Sequence, residues 1–256
     1  MSQSVVDSAG PPADIGSQVY IRTLGVTAVW VHGVPMHWKG NGAGRHQLRR
    51  GCGYLVGSCG LPVSWRKLKE VVGGRAGVEP ARSYYMVAGL VQMLEAWGMA
   101  EALHSGDHQL TLLPHPVWSS DVDHLRALYR SAYHHQNRGN IAATVATLEQ
   151  AIRHCGDKDG HRFLRELVES LPGDSHLQMQ ATSVSDIQRD TLKWLARLYL
   201  ATDQLDRWEC ALVLAQHALQ LPGAGVDELL LAADAADRGG LSGLARGYRD
   251  RASRDD

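Results

Sequence analysis

Ser64-Trp65-Arg66-Lys67-Leu68-Lys69-Glu70-Val71-Val72 decides the front of the chain. Trp65, Leu68, Val71 and Val72 fall on one side of a helix, Arg66, Lys67 and Lys69 on the other, and the Ser64 hydroxyl is placed to cap the first turn. On the N-terminal side, Leu48, Cys52, Leu55 and Cys59 mark the buried stripe of an earlier helix that Gly60-Leu61-Pro62-Val63 brings to an end. On the C-terminal side, the Gly73-Gly74-Arg75-Ala76-Gly77 loop leads to a third helix from about Pro80 to Trp97. Proline stands in its first turn and Val87, Leu90, Leu94 and Trp97 form its apolar stripe.

Short strands bracket these helices. Val19 to Gly25 and Val26 to Val31 are β-branched and aromatic-rich, His32-Gly33 supplies a tight turn, and Val34 to Trp38 continues the sheet; Gly40 to Gly44 is the turn into the first helix. Beyond Gly98, Glu101 to His104, a turn at Ser105-Gly106-Asp107 and His108 to Leu113 read as a hairpin. Sheet, three helices and closing hairpin in that order make a winged helix-turn-helix over residues 18–116, after a flexible lead-in at 1–17.

Pro114, Pro116 and Ser119-Ser120 mark a boundary, and from 120 to 252 the pattern is of helix pairs. Leu125, Leu128, Ala132 and Tyr133 form one stripe. Arg138-Gly139-Asn140 turns the chain, and Ile141, Val145, Leu148, Ala151 and Ile152 form the return stripe. The skeleton repeats farther on, with Leu125 matching Leu192, Leu128 matching Leu195 and Ala151 matching Ala218, while Val226 opens another pair. That offset, close to twice the tetratricopeptide period, predicts a tetratricopeptide-like bundle with an irregular unit between Phe163 and Val184. The fold class is mostly α, in two domains.

Of 256 residues, 26 are Lys or Arg and 27 are Asp or Glu, a balance that excludes a disordered acidic chain. The balance conceals an asymmetry. Between Lys39 and Arg82 nine basic residues face two acidic ones, whereas from Asp121 onward 20 acidic residues outnumber 16 basic ones. An anion-binding front joined to a different rear is the reading. Gly40 to Gly44 precede a helix start, and Arg45, Arg49, Arg66, Lys67 and Lys69 are placed to neutralise phosphates.

Other chemistries lack their residues. The four cysteines form no C-x-x-C pair, and Cys52 and Cys59 read as core. His154, Cys155, Asp157, Asp159 and His161 lack metal-ligand spacing, and Asp157-Lys158-Asp159-Gly160 is too short for a calcium loop. No Walker loop or nucleophile elbow occurs, so no cofactor, metal or catalysis is expected. Without an apolar run long enough to span a membrane or a leader pattern at its start, the chain is expected in the cytoplasm. Seven tryptophans against one phenylalanine are spread through both halves and read as core fillers.

Ile21-Arg22-Thr23-Leu24-Gly25, Leu61 to Leu68, His108 to Leu112 and Val117-Trp118-Ser119-Ser120-Asp121-Val122-Asp123 together resemble the OmpR-type winged helix of the Streptomyces antibiotic regulatory protein family. Leu128 to Ala132, Leu148 to Ala151, Leu195 to Tyr199, Asp227 to Leu230 and Gly239 to Tyr248 are similar to the bacterial transcriptional activation domain that accompanies it. The resemblance covers residues 19 to 252 collinearly. It implies a transcription activator that binds double-stranded promoter DNA, contacts RNA polymerase and is able to pair with a second copy of itself. It also places helix 81–97 in the major groove, with Arg82, Ser83, Tyr84, Ala88, Gln92 and Glu95 outward, and the wing at His104 to Gln109, including His108. One of Tyr84 and Tyr85 is expected in the core. The loop from Gly73 to Glu79 would face the polymerase, and its Arg75 is counted among the DNA-binding cations. The helix departs from the family pattern, in which several arginines stand on that face: here Arg82 is the single one, and Gly89 and Glu95 follow. The competing reading is therefore a protein-interaction scaffold on a winged helix that has lost base readout.

Overall fold

A computed structural model describes residues 16–24, 26–73, 80–154, 168, 171, 173–201 and 207–255. Arg75, most of the 73–79 loop and all but His154 of the 154–161 group lie outside the described residues. By internal packing the chain divides into two units: residues up to 124 together with 159–181, and residues 125–158 together with 182–256.

The first unit opens with β1 (Val19–Arg22), β2 (Ala28–Val31) and β3 (Val34–Pro35), joined antiparallel so that Val19 faces Val31 and Trp30 faces Pro35. His32 and Gly33 both have positive φ, 51° and 79°, the geometry of the two-residue turn whose twist suits a hairpin. The helices follow: α1 (Gly42–Gly57), α2 (Trp65–Gly73) and α3 (Pro80–Leu94). Asn41 caps α1, its side-chain oxygen accepting the Gly44 N–H at 3.1 Å, so part of the expected glycine turn is already helix. After α3 the chain widens into one π turn at Glu95–Met99, where Gly98 takes φ 92°, so the expected helix end at Trp97 falls inside this turn. The second sheet runs β4-β6-β5, with β4 (Val63–Ser64), β5 (Leu103–Gly106) and β6 (Gln109–Leu112). Its hairpin turn lies at Asp107-His108, two residues beyond the start expected for it.

Trp118–Ser120, read from the sequence as a boundary, is β7 and lies parallel to β1 at the edge of the first sheet. Asp121 follows it directly. Its buried carboxylate accepts the Thr23 N–H at 2.8 and 2.9 Å, the Leu24 N–H at 2.6 Å and the Thr23 hydroxyl at 2.9 Å. These bonds satisfy the backbone where the chain leaves β1, and they fix the start of α4 (Asp121–Asn137).

The core of this unit joins Ile21, Leu55, Leu68, Leu90, Leu94, Met99, Leu110 and Leu112, with Trp38 and Trp97 meeting edge to face at 5.1 Å. Leu171 and Leu177, from the irregular stretch that the sequence reading placed among the rear helix pairs, belong to this core. Gly51 sits where three helices converge. A Cβ there would stand 2.7 Å from Leu90 and 2.8 Å from Val72.

The second unit is built on α4, α5 (Ile141–His154), α6 (Ser175–Ala201), α7 (Arg207–Ala218), α8 (Val226–Arg238) and α9 (Ser242–Asp255). All six repeat positions named above, Leu125, Leu192, Leu128, Leu195, Ala151 and Ala218, are buried. Alanine dominates the contacts: Ala196, Ala211, Ala215, Ala232, Ala235, Ala236 and Ala245 let the helices approach closely. At the start of α8 the buried Glu228 accepts the Gly225 N–H at 2.8 Å and pairs with Lys193 at 3.0 Å and Arg189 at 3.3 Å. Despite burial, these partners hold its carboxyl below the ordinary range.

Two expectations follow. Burial pushes the Asp121 carboxyl up to about 6, while the bonds from Leu24, Thr23 and Val122 pull it down. The unfolded chain releases this proton near pH 4, about the ordinary carboxylate value, so across the window between the two the folded form holds more protons. Asp121's contribution to stability therefore falls as pH rises through that window, and a carbon-13 titration of its carboxyl should give a midpoint near 6. A midpoint at or below the ordinary carboxylate range would overturn this. Gly51→Ala should lower stability by about 1–3 kcal/mol in urea melts, because overpacking against Leu90 and Val72 outweighs the ~1 kcal/mol that alanine adds to a helix.

Candidate nucleic-acid interface

The outward face of α3 is set by what the core takes. Val87, Leu90 and Leu94 point inward, and Ser83 lies on the same side at 5% exposure, so its expected place on the outward face is corrected. Its position four residues before Val87 carries it into the stripe. Arg82, Tyr85, Gln92 and Glu95 are outward, and Ala88 is half-buried. The expectation of one core tyrosine also fails, since Tyr84 is 48% and Tyr85 74% exposed. Tyr84 lies 5.5 Å from the Trp65 ring and has the Lys69 ammonium 5.2 Å from its centroid, which joins the beginnings of α2 and α3.

The remaining cations divide by their company. Arg45 is exposed. Arg49 lies 6.0 Å from the Trp38 ring, and burial, with the like charges of Arg45 and Arg22, lowers its pKa. Arg66 projects with a 91% exposed side chain and meets Glu70 one turn on at 3.5 Å, an exposed pair of little strength. Lys67 is engaged differently. Its ammonium stands 3.5 Å from Asp174, a carboxylate that also accepts the Tyr54 hydroxyl and the Leu177 N–H. Burial raises the Asp174 carboxyl, but Tyr54, Leu177 and Lys67 together hold it below the ordinary range. Nothing in the sequence signals this partner, because it stands far along the chain and no periodicity links it to Lys67.

His104 and His108 are exposed on the hairpin, His108 with φ 58° at the turn. The His108 carbonyl accepts the Trp65 N–H at 2.8 Å, so the hairpin tip is bonded to the start of α2. Between the start of α1 and the outward face of α3 lies a groove of about 590 Å³. No described helix is long and apolar enough to cross a membrane, and among the described residues no group of three or more His, Cys, Asp or Glu is placed to hold a metal ion.

A small mixed sheet, three helices and a hairpin followed by helix pairs define a winged-helix fold with a helical rear domain. Among solved structures, Mycobacterium tuberculosis EmbR in complex with a low-affinity phosphopeptide has this fold, at a TM-score of 0.67 and 15% sequence identity over 93% of this chain. The chain spans 59% of the EmbR chain. No protein-family model matches the sequence, and no curated protein matches it.

The half-buried Lys67 pair should reach the upper end of what surface contacts give. A double-mutant cycle of Lys67→Ala and Asp174→Ala should give a coupling of about 1 kcal/mol. Because the Asp174 carboxyl is lowered, this coupling is present above about pH 4 and is lost as the solution is acidified below that.

Proposed function

We propose that this protein is a DNA-binding transcription regulator, an activator that contacts double-stranded promoter DNA through residues 18–116. Residues 120–252 contact RNA polymerase or a second copy of the chain. The observation that carries the reading is the outward face of α3: Arg82, Tyr85 and Gln92 are solvent-facing on the helix that follows a helix-turn, in the EmbR fold. Arg45, Arg66 and Arg82 supply exposed positive charge for phosphates, and Lys69, His104 and His108 lie along the path from α3 through Trp65 to the hairpin. Gln92 is the outward amide, the side chain type that pairs with adenine. Lys67 serves the fold through Asp174 rather than the duplex.

A second reading has its own observation. Ala88 and Gly89 lie along α3, and Glu95 directly after it, where cations would hold phosphate, which suits a winged helix that binds protein instead. Fluorescence anisotropy with a mixed-sequence duplex separates the two. The regulator should lose affinity steeply as salt rises, and Arg45→Ala with Arg82→Ala should flatten the logarithmic salt slope by about 2, about 0.9 per lost phosphate contact. No retention of duplex at low salt by the folded protein overturns DNA contact and leaves the interaction module.

A further inference from the structure

The groove between α1 and α3 has a composition that base readout does not require. Its floor is apolar, made by Leu48 of α1 and by Met86 and Met93 of α3. Its rim carries Lys39 and Arg82, and none of its lining residues is acidic. Among the described residues neither rim cation has an ion-pair partner. Gln92 adds an amide at one end, and Tyr85 presents a largely exposed ring. The Gly44 N–H at the α1 start is already taken by Asn41, so the charge that the groove offers is that of its side chains.

Concavity, apolar floor and one-signed rim select a particular ligand. A volume of about 590 Å³ lies within the range of small-molecule pockets. Thioethers adapt to flat rings, and a duplex has only thymine methyl groups to offer such a floor. We infer that this groove binds a small amphipathic anion, a flat apolar body carrying one negative group. The ring system lies over Met86, Met93 and Leu48, and Arg82 and Lys39 hold the anionic end. Arg82 and Gln92 belong also to the proposed DNA-facing surface, so ligand and duplex exclude one another; that half of the inference rests on the DNA-binding reading.

The probe is 1-anilinonaphthalene-8-sulfonate, with the uncharged N-phenyl-1-naphthylamine as its partner. The sulfonate dye should bind the full chain at one site, and the neutral dye about tenfold more weakly. A Cβ at Gly89 meets nothing within 4 Å, so Gly89→Leu fills the groove without disturbing the helix. Gly89→Leu and Arg82→Ala should each weaken the sulfonate dye by about tenfold, with circular dichroism preserved and melting no lower than that of the parent chain. Equal affinity for the two dyes, or unchanged affinity in Gly89→Leu, overturns the site. Bound duplex should be displaced by the dye, and a ternary complex overturns the exclusion. If the dye behaves as expected and no duplex binds, the site stands and the DNA reading falls. If duplex binds and the dye ignores Gly89→Leu, the DNA reading stands and the site falls.

Discussion

Asp121 occupies a position from which much of the first unit follows. The chain leaves β1 at Thr23 and Leu24 with backbone donors that no strand pairs, and it returns nearly a hundred residues later as β7 beside the same strand. A side chain without acceptor oxygens at 121 would leave those donors buried and unsatisfied, at a cost comparable to a large share of a domain's net stability. The carboxylate meets them with both oxygens, and burial opposes its charge at the same time. β7 completes the sheet order β3-β2-β1-β7 through its pairing with β1, Asp121 ties the next residue back to the end of β1, and the three helices rest on that sheet.

Within that frame, α3 is caught between two demands. Ser83, Val87, Leu90 and Leu94 face the core, and Gly51 lets α1 come near enough to pack on Leu90. What remains outward is a short palette: one arginine, two tyrosines, a glutamine and a glutamate. Met86 and Met93 lie partly between the two demands, flanking the groove beside α1. A face so furnished has enough positive charge to attract an anion and enough apolar surface to hold a flat ring. The same helix carries both proposed surfaces, so duplex and small ligand would compete for it.

The second unit solves packing by other means. Alanines at the helix contacts permit close approach, and specificity of pairing comes from polar groups, Glu228 with Lys193, Arg189 and the Gly225 N–H. Truncating one member would leave the others charged and poorly solvated, so the network resists alternative registers of α6 against α8. Tyr199 donating to Glu149 at 2.7 Å makes a similar tie between α6 and α5.

Local chemistry was readable from the sequence because it acts over a few residues. Helical stripes such as Leu48-Cys52-Leu55, the His32-Gly33 turn, the helix starts at Pro80 and near Ser64, and the recurrence of Leu125, Leu128 and Ala151 in the rear half each depend on spacing alone. Tertiary structure decided what depends on partners distant in sequence. Trp118–Ser120 became a strand because β1 offered it an edge, Lys67 was drawn to Asp174, and Leu171 and Leu177 joined the front core. Ser83 turned inward and both Tyr84 and Tyr85 turned out for the same reason: the phase of a helix is set by the surface it covers, and that surface exists only once the chain has folded.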